Sequence, residues 1–217
     1  MRITVIGDAR AELPPELAVL HLTLGHESGD LDKAVSQATQ LAQAMNAEFR
    51  ALKDADPCPV TETVLLPLAT RSWRPWAQDG SQLPLRHQAQ SRARLTFSNF
   101  RAMSAFINGW AREAGVVVDH VEWRLTEQRE RAEKSRILAE AVADAHERAG
   151  ILAIAAGQGE VRFLELSDSP LDGGAPPGLF AAGGADSAMM RGGGDGVDLT
   201  PEDIRLQARV HARFTTD

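Results

Sequence analysis

The segment from Arg129 to Leu166 constrains the fold more than any other: an alanine-rich helical stretch stops at Gly157 and passes almost at once into VRFLEL. Leu138, Ala141, Val142, Ala145, Ala149, Leu152, Ala153 and Ala156 recur at one, three or four residues, the period of a helix with one apolar side. Most of these side chains are single methyl groups, so the helix axis can sit close to whatever it covers. The strand-like residues that follow suggest a sheet. Such a stripe specifies packing and carries no chemistry.

The remaining segments supply strands and helices for that arrangement. Arg2–Gly7 reads as a strand, and in Glu16–Gly25 the residues Ala18, Leu20, Leu22 and Leu24 alternate with Leu17, Val19, His21 and Thr23. Pro14 and Pro15 fix an extended link between them, because proline has no amide hydrogen and biases the residue before it away from helix. Asp30 caps a helix reaching about Lys53. Strands over 61–73 and 85–98 are expected to form a long hairpin across AQDGSQLP, with Arg86, Arg92 and Arg94 on the wet face of the second. A helix capped by Ser98 or Asn99 and ended by Gly115 precedes the strand VVVDHVEWRL. The chain closes with its cleanest alternation, Ile204, Leu206, Ala208, Val210, Ala212 and Phe214 against Arg205, Gln207, Arg209, His211, Arg213 and Thr215. The expected class is α+β, a twisted mixed or antiparallel sheet covered by helices, in one domain over 1–217. Residues 172–198 hold nine of the 18 glycines without periodicity and read as a flexible loop.

Charge and composition exclude several classes. Asp plus Glu number 30 against 23 Lys plus Arg, and the net charge of -7 opposes nucleic acid as a partner. Cys58 is the sole cysteine, which excludes an intramolecular disulfide and a multi-cysteine metal cluster. No run approaches the ~18 apolar residues of a membrane-spanning helix. The start, MRITVIGDAR, lacks a leader's apolar stretch, so the expectation is cytoplasmic as written, and periplasmic or extracytoplasmic if a leader was removed.

The six histidines show no HxH or HExxH spacing, and the glycine-rich stretch has no GxxxxGK[ST] pattern, so neither a metal nor a cofactor is expected. Asp119, Glu122, Glu160 and Glu165 read as cross-strand partners of arginines rather than an acid–base pair. No catalytic constellation emerges, and the chain is read as a non-enzyme. Two groups are candidates for an interface. Trp73 and Trp76, flanked by Arg71 and Arg74, either anchor a partner or tuck under a neighbouring helix. If the Leu85 strand and the final strand share one sheet, Arg92, Arg94, Arg205, Arg209 and Arg213 form a basic stripe. Carboxylates of the same chain, a second copy or an anionic ligand would then relieve its repulsion.

Four places together resemble the SIMPL domain family, the YggE-like bacterial proteins. They are Gly7 with Pro15-Glu16-Leu17-Ala18; the helix from Ala139 through Asp144-Ala145, Arg148-Ala149, Leu152-Ala153 and Gly157; the strand Val161–Glu165 after it; and Ala188-Met189-Met190-Arg191 followed by Thr200-Pro201 and the last strand. Asp203 stands where that family carries glycine, and the turn at Gly157-Gln158-Gly159 is shorter. The resemblance implies an α+β fold, self-association into ring-like or channel-like assemblies in some members, and roles in stress protection or signalling, with no established catalytic residue. The expectation is a self-associating, non-enzymatic scaffold or stress-related protein. The alternative is a small-ligand binding protein or uncharacterised enzyme with a pocket near the glycine-rich loop.

Overall fold

The computed structural model describes residues 1–168, 171 and 199–216, so the loop expected over 172–198 lies outside the described residues. In chain order the elements are β1 (Arg2–Leu13), β2 (Leu17–Ser28), α1 (Leu31–Asp54), β3 (Val60–Leu65), β4 (Ala69–Trp73), β5 (Arg86–Phe97), α2 (Phe100–Trp110), β6 (Val116–Arg124), α3 (Glu127–Ala155), β7 (Val161–Ser167) and β8 (Ile204–Thr216). The fold is α+β, with two separate antiparallel sheets among the described residues. The chain divides into two compact units, the described parts of which are residues 1–15, 125–168, 171 and 202–216, and residues 16–124 and 199–201.

In the first unit the strand order is β1-β8-β7. β8 is central, and its alternation decides its orientation: Leu206, Ala208, Val210, Ala212 and Phe214 are buried while Arg205, Arg209 and Arg213 point the other way. β1 pairs with it without a shift from Arg2↔Thr215 to Leu13↔Ile204. α3 begins at Thr126, whose hydroxyl accepts from the Arg129 amide, with Glu127 and Glu130 in the first turn, where negative charge suits the helix dipole. Its wet side carries i,i+4 ion pairs such as Glu127–Arg131 and Glu130–Lys134.

The buried side of α3 is a single row at four-residue spacing: Ile137, Ala141, Ala145, Ala149 and Ala153, all fully buried. This corrects the expected stripe at both ends, since Ile137 joins the core while Leu152 is 48% exposed and Leu138 and Val142 only flank it. A row spaced by four is one ridge of the helix surface, and small side chains allow that ridge alone to make the contact. Gly7 makes the approach possible. A Cβ at Gly7 would lie 2.0 Å from the Ala141 carbonyl oxygen and 2.7 Å from the Ala145 amide nitrogen.

The second unit holds a sheet of order β3-β5-β2-β6, with β4 paired to the other end of β5. The single strand expected over 61–73 is broken between Leu65 and Ala69, where Pro67 cannot donate to a ladder. The break is held by Leu66, whose amide donates to the Arg92 carbonyl while its own carbonyl accepts from the Ser91 hydroxyl. Both pieces still pair with β5 as the two arms of the hairpin. Ala18, Leu20, Leu22 and Leu24 of β2 and Ala93, Leu95 and Phe97 of β5 face the helices. α1 is capped by Asp30 and buries Ala34, Ala38, Leu41, Met45 and Phe49, while α2 is capped by Asn99 and packs Phe106 on Phe97. Among the described residues no helix of this unit covers the opposite face, on which Val19 and Thr96 are nonetheless buried.

Candidate functional site

The arginines expected to form one stripe are divided between the two sheets, because β5 pairs with β2, β3 and β4 while β8 pairs with β1 and β7. Strand alignment therefore does not bring Arg92 and Arg94 beside Arg205, Arg209 and Arg213. Within each sheet most of these side chains find carboxylates across the strands. Arg205 Nε reaches Glu12 at 3.1 Å, Arg209 Nε reaches Asp8 at 2.8 Å, Arg213 reaches Glu165 at 2.6 Å and Arg94 reaches Glu62 at 3.3 Å. Arg92 is exposed. The alternation that places arginines on one face of β8 also places Asp8 and Glu12 opposite them on β1, in register Asp8↔Arg209 and Glu12↔Arg205.

Trp73 and Trp76 also separate. Trp73 is half-buried at the end of β4, with the Arg71 guanidinium 4.7 Å from its ring centre. Trp76 lies past the strand, bridged through its backbone to Gln82, and is 66% exposed.

On the face of the second unit's sheet turned away from α1 and α2, His21 sits opposite Arg94 on β5 and His120 on β6. The two imidazoles stack at 4.3 Å, 11° from parallel. Glu122 lies 3.7 Å from His21 Nε2, but its carboxylate accepts two hydrogen bonds from Arg124 at 2.7 and 2.8 Å, which hold its pKa below the usual range. Burial foremost, and then His120, pushes the His21 pKa down. A carboxylate committed to arginine is a poor proton acceptor for histidine, so this cluster is an electrostatic network on a sheet surface. The His21 side chain is 27% exposed, while its Nε2 is shielded from solvent and makes no hydrogen bond. His87, by contrast, is half-buried and bonded to the Ser72 hydroxyl at 2.7 Å. Among the described residues no group of three or more His, Cys, Asp or Glu is placed to hold a metal ion, and no helix is long and apolar enough to cross a membrane.

Two apolar features of the first unit were not legible as sites in the sequence. The first is β7, an edge strand among the described residues, where Phe163 is 47%, Leu164 53% and Leu166 49% exposed. A helix about 10 Å across covers roughly two strands spaced about 4.8 Å apart, and α3 lies over β1 and β8. β7 extends past it, so Phe163 is covered only in part by Phe214 and His146, at ring distances of 4.4 and 5.6 Å. The run VRFLEL holds apolar residues on both strand faces, the one signal that this strand is not an ordinary half-buried one.

The second is a cavity of about 710 Å³ lined by Thr4, Val5, Ile6, Arg148, Ile151, Leu152, Leu171 and His211. Val5 belongs to the face packed on α3, whereas Ile6 and its cross-strand partner His211 belong to the opposite face. The cavity therefore wraps the open edge of β1. Arg148 stands 3.7 Å from Asp144, whose Oδ2 already accepts the Asp8 amide at 2.9 Å.

Fold and surface define an α+β protein of antiparallel sheets, each covered by helices on one face, with apolar side chains left exposed along an edge strand and around an edge cavity. The model of the SIMPL family, a protein of unknown function (DUF541), matches residues 3–214, and the chain belongs to that family. No curated protein matches the chain.

Proposed function

We propose that this SIMPL protein is a non-enzymatic, self-associating scaffold whose copies join through β7. The observation that carries the reading is the half-exposure of Phe163, Leu164 and Leu166 on the edge strand of a three-stranded sheet. An exposed apolar edge strand is a template for another strand, and proteins that stay monomeric protect such edges with charge, proline or a covering loop. Antiparallel pairing of two β7 strands about a two-fold axis would join two three-stranded sheets and bury the same side chains from each copy. Residues Arg209 and Arg213, expected to contribute to an interface, serve in this reading as cross-strand partners within each copy. The test is multi-angle light scattering of the wild type and of a Leu164→Lys/Leu166→Lys double variant, which alters only exposed positions. Assembly of the wild type and dissociation of a variant with an unchanged circular dichroism spectrum is the expected outcome. A wild-type monomer at about 100 μM, weaker than the affinity of ordinary specific interfaces, would remove the reading.

A further inference from the structure

We propose that residues Val116–His120 of β6 form an acid-released flap at the edge of the second unit's sheet, latched at neutral pH by the stack of His120 on His21. The device lies within the second unit and does not depend on the assembly proposed for β7.

The first observation is how β6 divides. Its register on β2 slips at His21/Leu22: His21 lies opposite His120 and Leu22 opposite Val118, so Asp119 is the extra residue of a bulge. Beyond the bulge Val121 and Trp123 are buried, whereas none of the residues from Val116 to His120 is, and Val117 is 55% exposed. β6 is an edge strand among the described residues, with β2 as its neighbour. A segment at a sheet edge with no buried side chain is where local opening costs least.

The second observation is what the bulge does to the side chains. Successive residues of a regular strand point to opposite faces, but here Asp119 and His120 both reach β2. The Thr23 hydroxyl donates to the Asp119 carboxylate at 2.9 Å, and the His120 ring lies on His21 at 4.3 Å. The flap is therefore pinned by two neighbouring side-chain contacts, and one of them is made by histidines, the side chains that change charge in mildly acidic solution.

The third is the charge around the stack. Facing His21 are Arg94 on β5 and His120, Glu122 and Arg124 on β6, while Arg92 stands opposite Thr23. The carboxylates nearby are already engaged, Glu122 with Arg124, Glu62 of β3 with Arg94, and Asp119 with Thr23. His21 Nε2 is also shielded from solvent without a hydrogen bond, so a charge on that ring is incompletely hydrated. A first proton on the pair leaves a cation against a neutral ring. A second sets two cations ring on ring beside Arg94, so the two titrations are coupled. The lowered pKa of His21, from burial foremost and then from His120, has the same sign. Because the rings belong to different strands, the second proton is taken up as His120 leaves His21, and proton uptake and flap release are linked. Release uncovers β2 from Leu22 to Leu24, which becomes an edge open to another strand.

The experiment follows amide hydrogen exchange of the full chain by NMR at about pH 7.5 and pH 5, corrected for intrinsic exchange, with the ring signals of His21 and His120 titrated in parallel. If the open flap titrates at the ordinary value of about 6.5 and the closed one refuses the second proton, opening rises up to about thirtyfold at pH 5. Protection of Val116–His120 is expected to fall by that factor while Val121, Trp123 and the strands β1 and β8 keep theirs, and the two rings are expected to titrate in separate steps. His120→Phe keeps a ring on His21 without a second titrating group, and its flap should stay protected at pH 5. His21→Gln removes the stack and should leave flap protection the same at both pH values. The proposal is overturned if wild-type flap protection does not change with pH, if the loss is uniform along the chain, if both rings titrate together near the ordinary value with the flap closed, or if His120→Phe opens in acid as the wild type does. Should a variant fail to fold, the wild-type exchange and ring titrations decide by themselves.

Discussion

Replacing Gly7 with alanine tests how closely α3 is seated on β1. Of the atoms nearest the added methyl, the Ala141 carbonyl oxygen would lie at 2.0 Å, the Ala145 nitrogen at 2.7 Å and the Ala145 Cβ at 2.8 Å. Two of the three are helix backbone, so no rotamer change can clear them. To restore an ordinary contact α3 must retreat by about 1.4 Å, and a gap of that size forfeits at least half of the dispersion energy along the row of Ala141, Ala145 and Ala149. The cost is expected at the upper end of the overpacking range, about 3 kcal/mol, or a fall in melting temperature of roughly 6–12 °C for a chain of this size. Gly150→Ala is the matched control. Gly150 lies in the same helix with no heavy atom near its missing Cβ, so the helix propensity of alanine should raise stability by up to about 1 kcal/mol. Circular dichroism melts of the three proteins decide the matter. A Gly7→Ala protein that melts with the wild type, or two variants that shift in the same direction, would refute the close seating of α3.

Ala145→Leu should overpack the same contact and cost about 1–3 kcal/mol, measured by urea denaturation, and an unchanged midpoint would place Ala145 on a solvent face. The depressed pKa of His21 favours its neutral form in the folded protein, so its contribution is fully present above about pH 6.5 and is lost as pH falls through the lower folded value. Urea midpoints of the wild type should therefore drop more between about pH 7 and 5.5 than those of His21→Gln, whereas the loss tied to Glu122 begins only below its ordinary value of 4.5. Parallel pH slopes in the two proteins would contradict this. Exchanging Arg209 and Arg213 together for Glu sets like charges opposite Asp8 and Glu165, and should lower the melting temperature at low salt more than at high salt. If light scattering shows that the same double variant loses a salt-sensitive oligomer while the β7 variant keeps it, β8 rather than β7 carries the interface.

Local pattern made much of the architecture legible in the sequence. Alternation along 204–215 assigns each side chain of β8 to a face before any partner is known, because a strand has only two faces. Asp30 marks the first turn of α1 by its own side-chain bonds to the Asp32 and Lys33 amides, and alanines spaced by four mark the side of α3 that can come closest to a sheet. Tertiary pairing decided what these local rules leave open. Nothing in the spacing of Arg92, Arg94, Arg205, Arg209 and Arg213 says that β5 and β8 enter different sheets, since sheet membership depends on hydrogen bonds between segments far apart in the chain. The period of α3 admits Leu152 as readily as Ala153, and the narrow contact allowed by Gly7 selects the alanine row. The cavity residues Ile6, Arg148 and His211 come from three separate elements, and each alone reads as an ordinary position on a strand or helix. Only the tertiary structure brings them to one cavity, because a site is a relation between side chains and sequence order does not encode distance.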